Sequence, residues 1–338
     1  MSGTSLDGVD LAYVEFQKTE KWTFQLGSYS TIPYPEKWIK RLSSLAFQNE
    51  RTITQTNTEY GAYLGSLVHS FIKKNKLEVD FVASHGHTIF HQPEKGHTLQ
   101  IGNGQTIANN CKQTVICDFR SLDVALGGQG APLVPIGDQL LFSNYNYCLN
   151  LGGFSNISYQ SKGIRKAYDI CPVNIVLNEL AQKLGKPYDE SGTIARNGKI
   201  VPKLLEQLNT LGYYQQGAPK SLGKEWVDLH ISPLLKEHKN IADLLHTCTE
   251  HAAYQMGKVL QRGNSLVTGG GAFNTFLMER LKHHSKSELH IPPKEIINYK
   301  EALIFAFLGV LRHRNEVNCL RSVTGAKRDC SGGVIFTP

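Results

Sequence analysis

Close to its amino end, the chain has an apolar run that follows strand periodicity. Both alternating sets of side chains are apolar: Val9, Leu11 and Tyr13 on one face, and Ala12, Val14 and Phe16 on the other. Strands buried on both faces have this composition. The pattern therefore predicts a well-buried strand over 11–16.

The rest of the first third alternates strands with one long helix. Residues 22–30 and 81–84 are predicted strands, and 56–74 has helical spacing of its apolar residues. That helix needs a core on one side. The apolar set is Tyr60, Tyr63, Leu64, Leu67, Val68 and Phe71.

A second region begins near residue 126, in the glycine-rich "ALGGQGAPLVP". It contains predicted strands in "YCLNLGG" and "NISYQ" and a helix over 172–184 that ends at Gly185. A later helix follows "LVTGGGAFN", with Phe273, Leu277 and Leu281 on one face. The apolar run 302–311 predicts a buried helix and is too short to span a bilayer.

Composition excludes several classes of protein. The chain has 338 residues, 41% of them hydrophobic, which is ordinary for a globular protein with sizeable cores. Its seven cysteines form no C-x-x-C pair, which argues against a disulfide framework and a zinc knuckle. No secretory leader pattern is present, so we expect a cytoplasmic protein. The net charge of +7 comes without a nucleic-acid-binding signature, and we expect neither nucleic acid nor membrane partners but attraction for a small anion.

Three turns combine glycine with hydroxyl or amide side chains: "SGTSLDG" (2–8), "NLGGFSNIS" (150–158) and "LVTGGGAFN" (266–274). Any one of them alone is more often a simple turn. Together they favour a nucleotide, because a phosphate chain needs backbone N–H groups from several segments. Asp7 and Asp10 suit a hydrated cation, and the third turn leaves room for the adenosine end.

Eight segments carry a resemblance to one family. "MSGTSLDGVD", "HTLQIGNGQTIA", "DFRSLDVALGGQGAPLVP", "LNLGGFSNIS", "APKSLGKEW", "VTGGGAFN", "EALIFAFLG" and "SVTGA" resemble, in order and spacing, the motifs of the anhydro-N-acetylmuramic acid kinases. The resemblance implies an α/β fold of the actin-like ATPase type, with two ribonuclease H-like lobes around a nucleotide cleft. We assign the first lobe to 1–125 plus 322–338 and the second to 126–321.

The resemblance also implies ATP and Mg²⁺ as cofactors and assigns the nucleotide contacts. Asp7 is the predicted metal ligand. The predicted nucleotide-binding residues are Ser2, Gly3, Thr4, Ser5, Leu6, Asp7, Gly8, Asp10, Asn150, Gly152, Gly153, Ser155, Gly269, Gly270, Gly271 and Asn274.

The family reaction opens a 1,6-anhydro bridge with water while O6 is phosphorylated, so a base must activate the water. The resemblance places this base at Asp169 in "AYDICPVNIVLNEL". An aspartate just before a helix has an alternative role as a cap, and the helix dipole would favour its ionised form. The family usually reads Asp-Thr-Gly-Pro-Gly-Asn here, and this chain has Asp-Ile-Cys-Pro-Val-Asn. The loss of both glycines bears on the backbone path of this loop and not on the carboxylate.

The predicted sugar contacts are Asp118, Arg120, Gln129 and Glu301. Arg120 suits the lactyl carboxylate of muramic acid, with a structural role as the alternative. Glu301 matches a family glutamate at a helix start, where capping is the alternative. In "SHGHTIFHQPEKGHT", His85 and His87 would share one strand face; we interpret the cluster as polar lining rather than as a metal site, because no further ligand completes a set.

Three expectations complete the hypothesis. Family members carry an apolar strand before the first glycine loop, so we expect this chain's natural protein to begin upstream of Met1. The family resemblance predicts a homodimer. Two alternatives to the anhydrosugar kinase remain: a kinase of the same fold acting on another sugar, since phosphate loops do not fix the acceptor, and a non-catalytic nucleotide-gated binding protein.

Overall fold

The computed structural model describes residues 1–3 and 6–338. The chain forms two compact units. Unit 1 comprises Met1–Leu141 and Tyr299–Pro338, and unit 2 comprises Phe142–Asn298. Both contain helices and strands, which confirms the predicted α/β class.

Unit 1 takes its strands and helices from two stretches of the chain. The strands are β1 (Gly8–Lys18), β2 (Trp22–Pro33), β3 (Val82–Ser84), β4 (His87–Gln92), β5 (His97–Ile101) and β6 (Val115–Cys117). The helices before residue 142 are α1 (Glu36–Ser44), α2 (Glu50–Asn75), α3 (Gly104–Cys111), α4 (Ser121–Ala125) and α5 (Val134–Leu141).

Unit 2 supplies the middle of the chain. Its strands are β7 (Tyr147–Leu151), β8 (Phe154–Ser161), β9 (Ile164–Pro172), β10 (Asn264–Thr268) and β11 (Glu288–His290). Its helices are α6 (Asn174–Gln182), α7 (Thr193–Asn197), α8 (Pro202–Asn209), α9 (Lys224–His230), α10 (Ser232–Lys236), α11 (Ile241–Val259) and α12 (Thr275–His284). The chain then continues through α13 (Lys294–His313), in which the boundary between the units falls, to α14 (Arg321–Thr324) and β12 (Val334–Phe336) in unit 1.

The unit boundaries differ from the predicted lobe boundaries at 125/126 and 321/322. Helix α5 packs on β2, and Lys300 of α13 lies 2.8 Å from the Asp138 carboxylate in a buried ion pair. Gly137 faces Ile304 closely enough that an added Cβ would lie 2.8 Å from its side chain. These contacts place α5 and most of α13 in unit 1.

The two units have differently built sheets. In unit 2 the five strands form one sheet in the order β11-β10-β7-β8-β9. In unit 1 the strands fall into a β1-β2 pair, a β12-β6-β3 group and a β4-β5 pair. The core of unit 2 lies between this sheet and helices α6 and α11, around Leu149, Leu177 and Leu245. The core of unit 1 gathers Tyr60, Ile101 and Ile107.

Most elements predicted from periodicity are confirmed, with longer or shorter bounds. β1, β2 and α2 contain the predicted segments, β3 begins one residue later than predicted, and Gly185 has the left-handed φ of +72° that ends a helix. The helix predicted over 172–184 is shorter, because Pro172 ends β9. Phe273 precedes α12 and is 41% exposed, so only Leu277 and Leu281 of its predicted face are buried.

No helix among the described residues combines the length and apolar character needed to cross a bilayer.

Candidate functional site

Two glycine turns of unit 2 lie side by side. β7 and β10 are parallel neighbours, with Asn150 paired to Thr268, so the turns that follow both strands leave the same edge of the sheet. The packing is close: a Cβ on Gly269 would lie 2.7 Å from the Asn150 Oδ1 atom, and one on Gly271 would lie 2.7 Å from the Leu151 Cβ atom. Gly269 also has φ +83°. Glycine is required at both positions.

The amino end of α6 closes on the first of these turns. The Val173 and Ile175 N–H groups donate to the Gly153 carbonyl at 2.8 and 3.1 Å, and the Asn174 side chain donates to the Leu151 carbonyl at 3.1 Å. Gly153 and Gly270 are exposed, and an added Cβ at either one would meet no atom of the described residues within 3.4 Å. The outer backbone of both turns is therefore open to a ligand.

Two predicted nucleotide contacts have structural partners here. Ser155 is fully buried, and its hydroxyl donates to the Cys171 carbonyl at 3.1 Å, linking β8 to β9 at a bulge. The Asn274 Oδ1 atom accepts from the Leu277 N–H at 3.0 Å and caps α12. These contacts indicate that both side chains hold the turns in place.

Asp169 lies inside β9, half-buried. The Leu222 N–H donates to its Oδ2 atom at 2.9 Å, and the Tyr213 hydroxyl donates to its backbone carbonyl at 2.6 Å. Oδ1 has no hydrogen-bond partner among the described residues. Burial raises the pKa of Asp169, and the Leu222 N–H opposes the rise. Burial therefore shifts the pKa of Asp169 in the direction opposite to the shift expected from the helix dipole. Asp169 does not cap α6, whose N-cap is Val173.

Segment 170–173, which departs from the family pattern, is buried in the core of unit 2. Ile170, Cys171 and Val173 are at most 3% exposed and join the apolar cluster of unit 2. The side chains that replace the family's two glycines point into packed space. The Asp169 carboxylate stays outside that cluster.

Lys220 and Tyr213 are neighbours of Asp169 that sequence reasoning missed. The Lys220 ammonium lies 4.4 Å from the Tyr213 ring centre and donates to the Tyr213 carbonyl at 3.1 Å. The Asp169 N–H donates to the Lys220 carbonyl at 3.3 Å. The motif "APKSLGKEW" was the signal, because it is the segment that supplies the Lys220 carbonyl and the Leu222 N–H.

In unit 1 the first glycine loop is anchored at both ends. The Ser2 hydroxyl is buried between the Tyr34 hydroxyl at 2.5 Å and the His87 Nδ1 atom at 3.0 Å. Gly8 is buried in β1, where a Cβ would lie 2.4 Å from the Ile32 carbonyl oxygen. Asp10 accepts from the Thr31 hydroxyl at 2.6 Å.

The middle of the same loop holds the other predicted contacts. Gly3 and Asp7 are exposed, and Leu6 is half-buried with φ +60°. The predicted contacts Thr4 and Ser5 lie outside the described residues.

Arg120 is held by a neutral histidine. Its Nε and NH2 groups donate to the His85 Nε2 atom at 3.1 and 2.9 Å, and its NH1 group donates to the Gly130 carbonyl at 2.7 Å. Burial, with Arg120 adding to it, lowers the pKa of His85 to about 3. His85 is therefore neutral, and its Nδ1–H donates to the Gly86 carbonyl at 3.0 Å. Two of the five guanidinium N–H groups have no partner among residues 1–3 and 6–338 and remain for a ligand.

The other predicted sugar contacts differ in their exposure and in their hydrogen-bond partners. Gln129 is exposed, and its N–H donates to the Thr324 carbonyl at 2.9 Å. Asp118, with φ +59°, accepts from the Ser121 hydroxyl at 2.5 Å and so closes the start of α4. Glu301 is exposed and lies inside α13, seven residues after Lys294, so its predicted position at a helix start is wrong. Burial lowers the pKa of Arg120, and the Glu301 charge opposes this, which places the two groups near each other.

Asp123 organises the glycine-rich loop, and sequence reasoning missed it. Its buried carboxylate accepts from the Gly130 N–H at 2.8 Å, the Thr324 hydroxyl at 2.7 Å and the Cys319 thiol at 3.0 Å. A Cβ on Gly128 would lie 2.2 Å from the same carboxylate. The spacing of aspartate before "GGQG" was the available signal.

The histidine cluster has no metal geometry. Gly86, with φ +72°, separates β3 from β4, so His85 and His87 do not share the predicted strand face. In the part of the chain that the structure describes, only Asp123, Cys319 and Cys330 form a group of three metal-ligating side chains. Asp7 is exposed and does not belong to that group. A magnesium ion that also binds phosphates needs only one or two carboxylates from the protein.

Comparison with solved structures finds partial likenesses. An activator of the 2-hydroxyisocaproyl-CoA dehydratase from Clostridium difficile, solved with bound ADPNP, is 15% identical, with a TM-score of 0.35 over 54% of this chain and 66% of its own. The (R)-2-hydroxyglutaryl-CoA dehydratase component A of Acidaminococcus fermentans is 17% identical, with a TM-score of 0.33 over 51% of this chain and 63% of its own.

Comparison of sequences gives matches over the whole length. The family model described as anhydro-N-acetylmuramic acid kinase matches residues 1–338. Proteins of that name from Mannheimia succiniciproducens and Shewanella putrefaciens are 36% and 35% identical, over 99% and 100% of this chain and 97% of each relative. One from Bacillus thuringiensis is 32% identical over 100% of this chain and 98% of the relative. This chain therefore belongs to the anhydro-N-acetylmuramic acid kinase family.

Proposed function

We propose that this protein converts 1,6-anhydro-N-acetylmuramic acid to N-acetylmuramic acid 6-phosphate, using ATP and one water molecule, in the recycling of cell-wall sugars. Water adds to C1, the bond from C1 to O6 breaks, and O6 takes the γ-phosphoryl group of ATP. Family membership over the full chain supports this activity.

The surroundings of Asp169 carry the proposal. One carboxylate oxygen is fixed by the Leu222 N–H, while the other has no partner among the described residues, so Oδ1 accepts the proton of the attacking water. The raised pKa of Asp169 makes it a better proton acceptor than an ordinary aspartate. The Tyr213 hydroxyl holds the Asp169 backbone and so positions the carboxylate.

Nucleotide binding is assigned to the glycine turns. The open backbone at Gly153 and Gly270 lets a phosphate chain or a flat ring approach closely. Asp7 is the proposed ligand for Mg²⁺, which supplies charge neutralisation on the transferred phosphoryl group. The exposed position of Asp7 suits an ion that keeps most of its waters.

Arg120 is assigned to the lactyl carboxylate of the sugar. Neutral His85 orients the guanidinium without competing for its charge, and the two free N–H groups match a carboxylate. Asp118, Gln129 and Glu301 are proposed sugar contacts around it. We further propose a cytoplasmic homodimer, as the family resemblance implies.

Isotope labelling tests the reaction. The protein is incubated with ATP, Mg²⁺, the anhydrosugar and ¹⁸O water, and the product is analysed promptly by mass spectrometry. We expect a 6-phosphate that carries ¹⁸O at C1. A parallel sample of unlabelled 6-phosphate in ¹⁸O water measures exchange at C1. A phosphorylated sugar without the label would indicate an ordinary kinase, and ATP binding without product would indicate a binding protein.

A further inference from the structure

Two cysteines near the carboxyl end lie side by side in unit 1. Cys319 and Cys330 form an isolated antiparallel bridge, in which the N–H of each donates to the carbonyl of the other at 3.1 Å. Residues that are directly opposed in this way place their side chains on the same face of the pair. Cys319 is 1% exposed and Cys330 is 2% exposed. The two thiols therefore lie together in the interior of the unit.

The Asp123 carboxylate joins this cysteine pair from a segment 196 positions before Cys319. The Cys319 thiol donates to its Oδ1 atom at 3.0 Å, and the ligating atoms of all three residues lie within 4.8 Å of one another. The other donors to Asp123 are also neutral groups, the Gly130 N–H and the Thr324 hydroxyl.

The charge of Asp123 is buried without a cation beside it. Its side chain is fully buried, and no ion pair joins it to a lysine, arginine or histidine in the part of the chain that the structure describes. Buried charges in proteins are normally paired with an opposite charge or bound to a metal ion. A cation held by Asp123 and the two sulfur atoms would supply the missing positive charge.

The spacing of the cysteine pair suits a shared metal ion better than a disulfide. A hydrogen-bonded antiparallel pair has Cα atoms about 5.5 Å apart and Cβ atoms about 5 to 5.5 Å apart. A disulfide needs Cβ atoms about 3.8 Å apart, so the backbone of the bridge would have to move. Two thiolates on a tetrahedral zinc ion have sulfur atoms about 3.8 Å apart, which both side chains reach from this backbone. The contact between Cys319 and Asp123 needs to widen by only about 0.5 Å.

The donor set selects the kind of metal. Thiolates are soft ligands that favour zinc over magnesium or calcium, which take oxygen ligands. Two thiolates and a carboxylate exceed the charge of a divalent ion by one. Arg120 and Arg328 lie close enough for their charges to act on Cys319 and Cys330, respectively, and so offset this excess.

We propose that Asp123, Cys319 and Cys330 form a binding site for one thiophilic divalent cation of the zinc class, with water as the fourth ligand. Binding replaces the two thiol protons, which pass to solvent. The ion links the bridge between Cys319 and Cys330 to helix α4, which carries Asp123. Since Asp123 also holds the Gly130 N–H, the ion stabilises the glycine-rich loop beside Arg120.

Cobalt binding tests the proposal. The full chain, kept reduced by a phosphine and free of ATP, is titrated with Co²⁺, whose bonds to thiolates give a charge-transfer absorption in the near ultraviolet. We expect this absorption to saturate at one equivalent of Co²⁺ and to disappear when Zn²⁺ is added. A roughly hundredfold excess of Mg²⁺ should leave it unchanged, because Mg²⁺ does not compete for thiolates.

Serine variants identify the ligands. Cys330→Ser removes one thiolate with little change in volume and should lower the affinity for Co²⁺ on the order of 100-fold or more. Cys319→Ser is the second variant and should have the same effect. Cys111→Ala is the matched control, because Cys111 is also buried in unit 1 but its thiol donates to the Ala108 carbonyl. It should bind Co²⁺ as the unsubstituted chain does.

Thermal unfolding gives a readout that is independent of activity. Zn²⁺ at about a hundred times its dissociation constant should raise the unfolding midpoint of the unsubstituted chain and of Cys111→Ala by roughly 5 °C. Absence of the thiolate absorption in the reduced chain, or an unchanged absorption in Cys330→Ser, would overturn the proposal. So would equal oxidation of Cys319 and Cys330 to a disulfide with and without Zn²⁺. Neither ATP nor sugar enters these measurements, so their failure would leave the proposed kinase reaction untouched.

Discussion

The candidate site residues of the two units differ in kind: unit 2 contributes mainly backbone groups, and unit 1 contributes side chains. In unit 2 the candidate site consists of backbone: two glycine turns at the end of a continuous five-stranded sheet, and one carboxylate fixed by a backbone N–H. In unit 1 it consists of side chains that hold one another, with Arg120 bound to neutral His85 and Asp123 bound to the loop beside it. A backbone site depends on the absence of side chains, whereas a side-chain site depends on matched donors and acceptors. The two should therefore fail differently when substituted.

The largest effect is expected at Asp169. Asp169→Asn keeps the size of the side chain and removes the proton acceptor, so kcat should fall by at least about 100-fold. ATP binding should be unchanged, as measured by calorimetry. Asp228→Asn, an exposed aspartate of α9 in the same unit, is the matched control and should retain activity. Near-full activity of Asp169→Asn would remove this residue from the role of base.

Substitutions at Gly270 and Gly271 of the third turn test whether backbone groups form the site in unit 2. Gly271→Ala forces a Cβ to within 2.7 Å of Leu151, so the free energy of unfolding should fall by about 1–3 kcal/mol. At Gly270 an added Cβ meets no atom within 4 Å, so Gly270→Ala should leave stability nearly unchanged while weakening ATP binding. Urea unfolding measures the first quantity and calorimetry the second. Equal stability of the two variants would show that the turn is not closely packed.

A substitution at Arg120 tests whether side chains form the site in unit 1. Lysine keeps the charge but cannot make the forked contacts to His85 and a carboxylate together, so Arg120→Lys should raise KM for the anhydrosugar on the order of tenfold. KM for ATP should stay the same in steady-state assays. Lys327→Arg exchanges the same two kinds of cation at an exposed position near the carboxyl end, so it is a control for the exchange itself and should leave both KM values unchanged. A selective rise in KM for ATP would contradict the assignment.

Acid should destabilise the units through one buried histidine each. Burial lowers the pKa of His85 in unit 1, together with Arg120, and of His251 in unit 2, to about 3 in each case. Between pH 6.5 and about 3 the unfolded chain binds the protons and the folded chain does not. Each histidine then costs about 1.4 kcal/mol of stability per pH unit as pH falls.

Hydrogen exchange, followed separately for the amides of each unit, measures this loss of stability. His251→Gln should flatten the pH dependence in unit 2 alone. If unit 2 keeps its full dependence in that variant, another group is responsible.

Local sequence pattern predicted the elements well where one periodicity dominates. The strand β1 and the helical stripe of α2 depend on neighbours in sequence, and both elements are confirmed. Residues 11–16 of β1 are half-buried or exposed, so the prediction that this strand is well buried is wrong. Glu301 was misplaced because "KEALIF" has the composition of a helix start, while the helix already begins at Lys294. His85 and His87 were misplaced because Gly86 takes a left-handed φ that the alternation of side chains does not reveal.

The site was less predictable than the elements, for a physical reason. The assignments of Asp169 and Arg120 rested on the family resemblance, and each has a partner from a distant segment: Leu222 for the first and His85 for the second. The Thr324 contact to Asp123 spans 201 positions. Such pairings are set by tertiary packing, which single-sequence periodicity does not encode. The burial that raises the pKa of Asp169 is equally non-local.

The discontinuity of unit 1 has a consequence for synthesis on the ribosome. Unit 2 is one uninterrupted stretch, whereas unit 1 needs residues 299–338, including β12 beside β6 and Thr324 beside Asp123. Since domains emerge from the ribosome and fold from the amino end, unit 2 can fold before unit 1, which needs residues 299–338. A nascent chain released before residue 299 would thus carry a folded unit 2 and an incomplete unit 1, so the emergence of residues 299–338 is what allows unit 1 to complete its core.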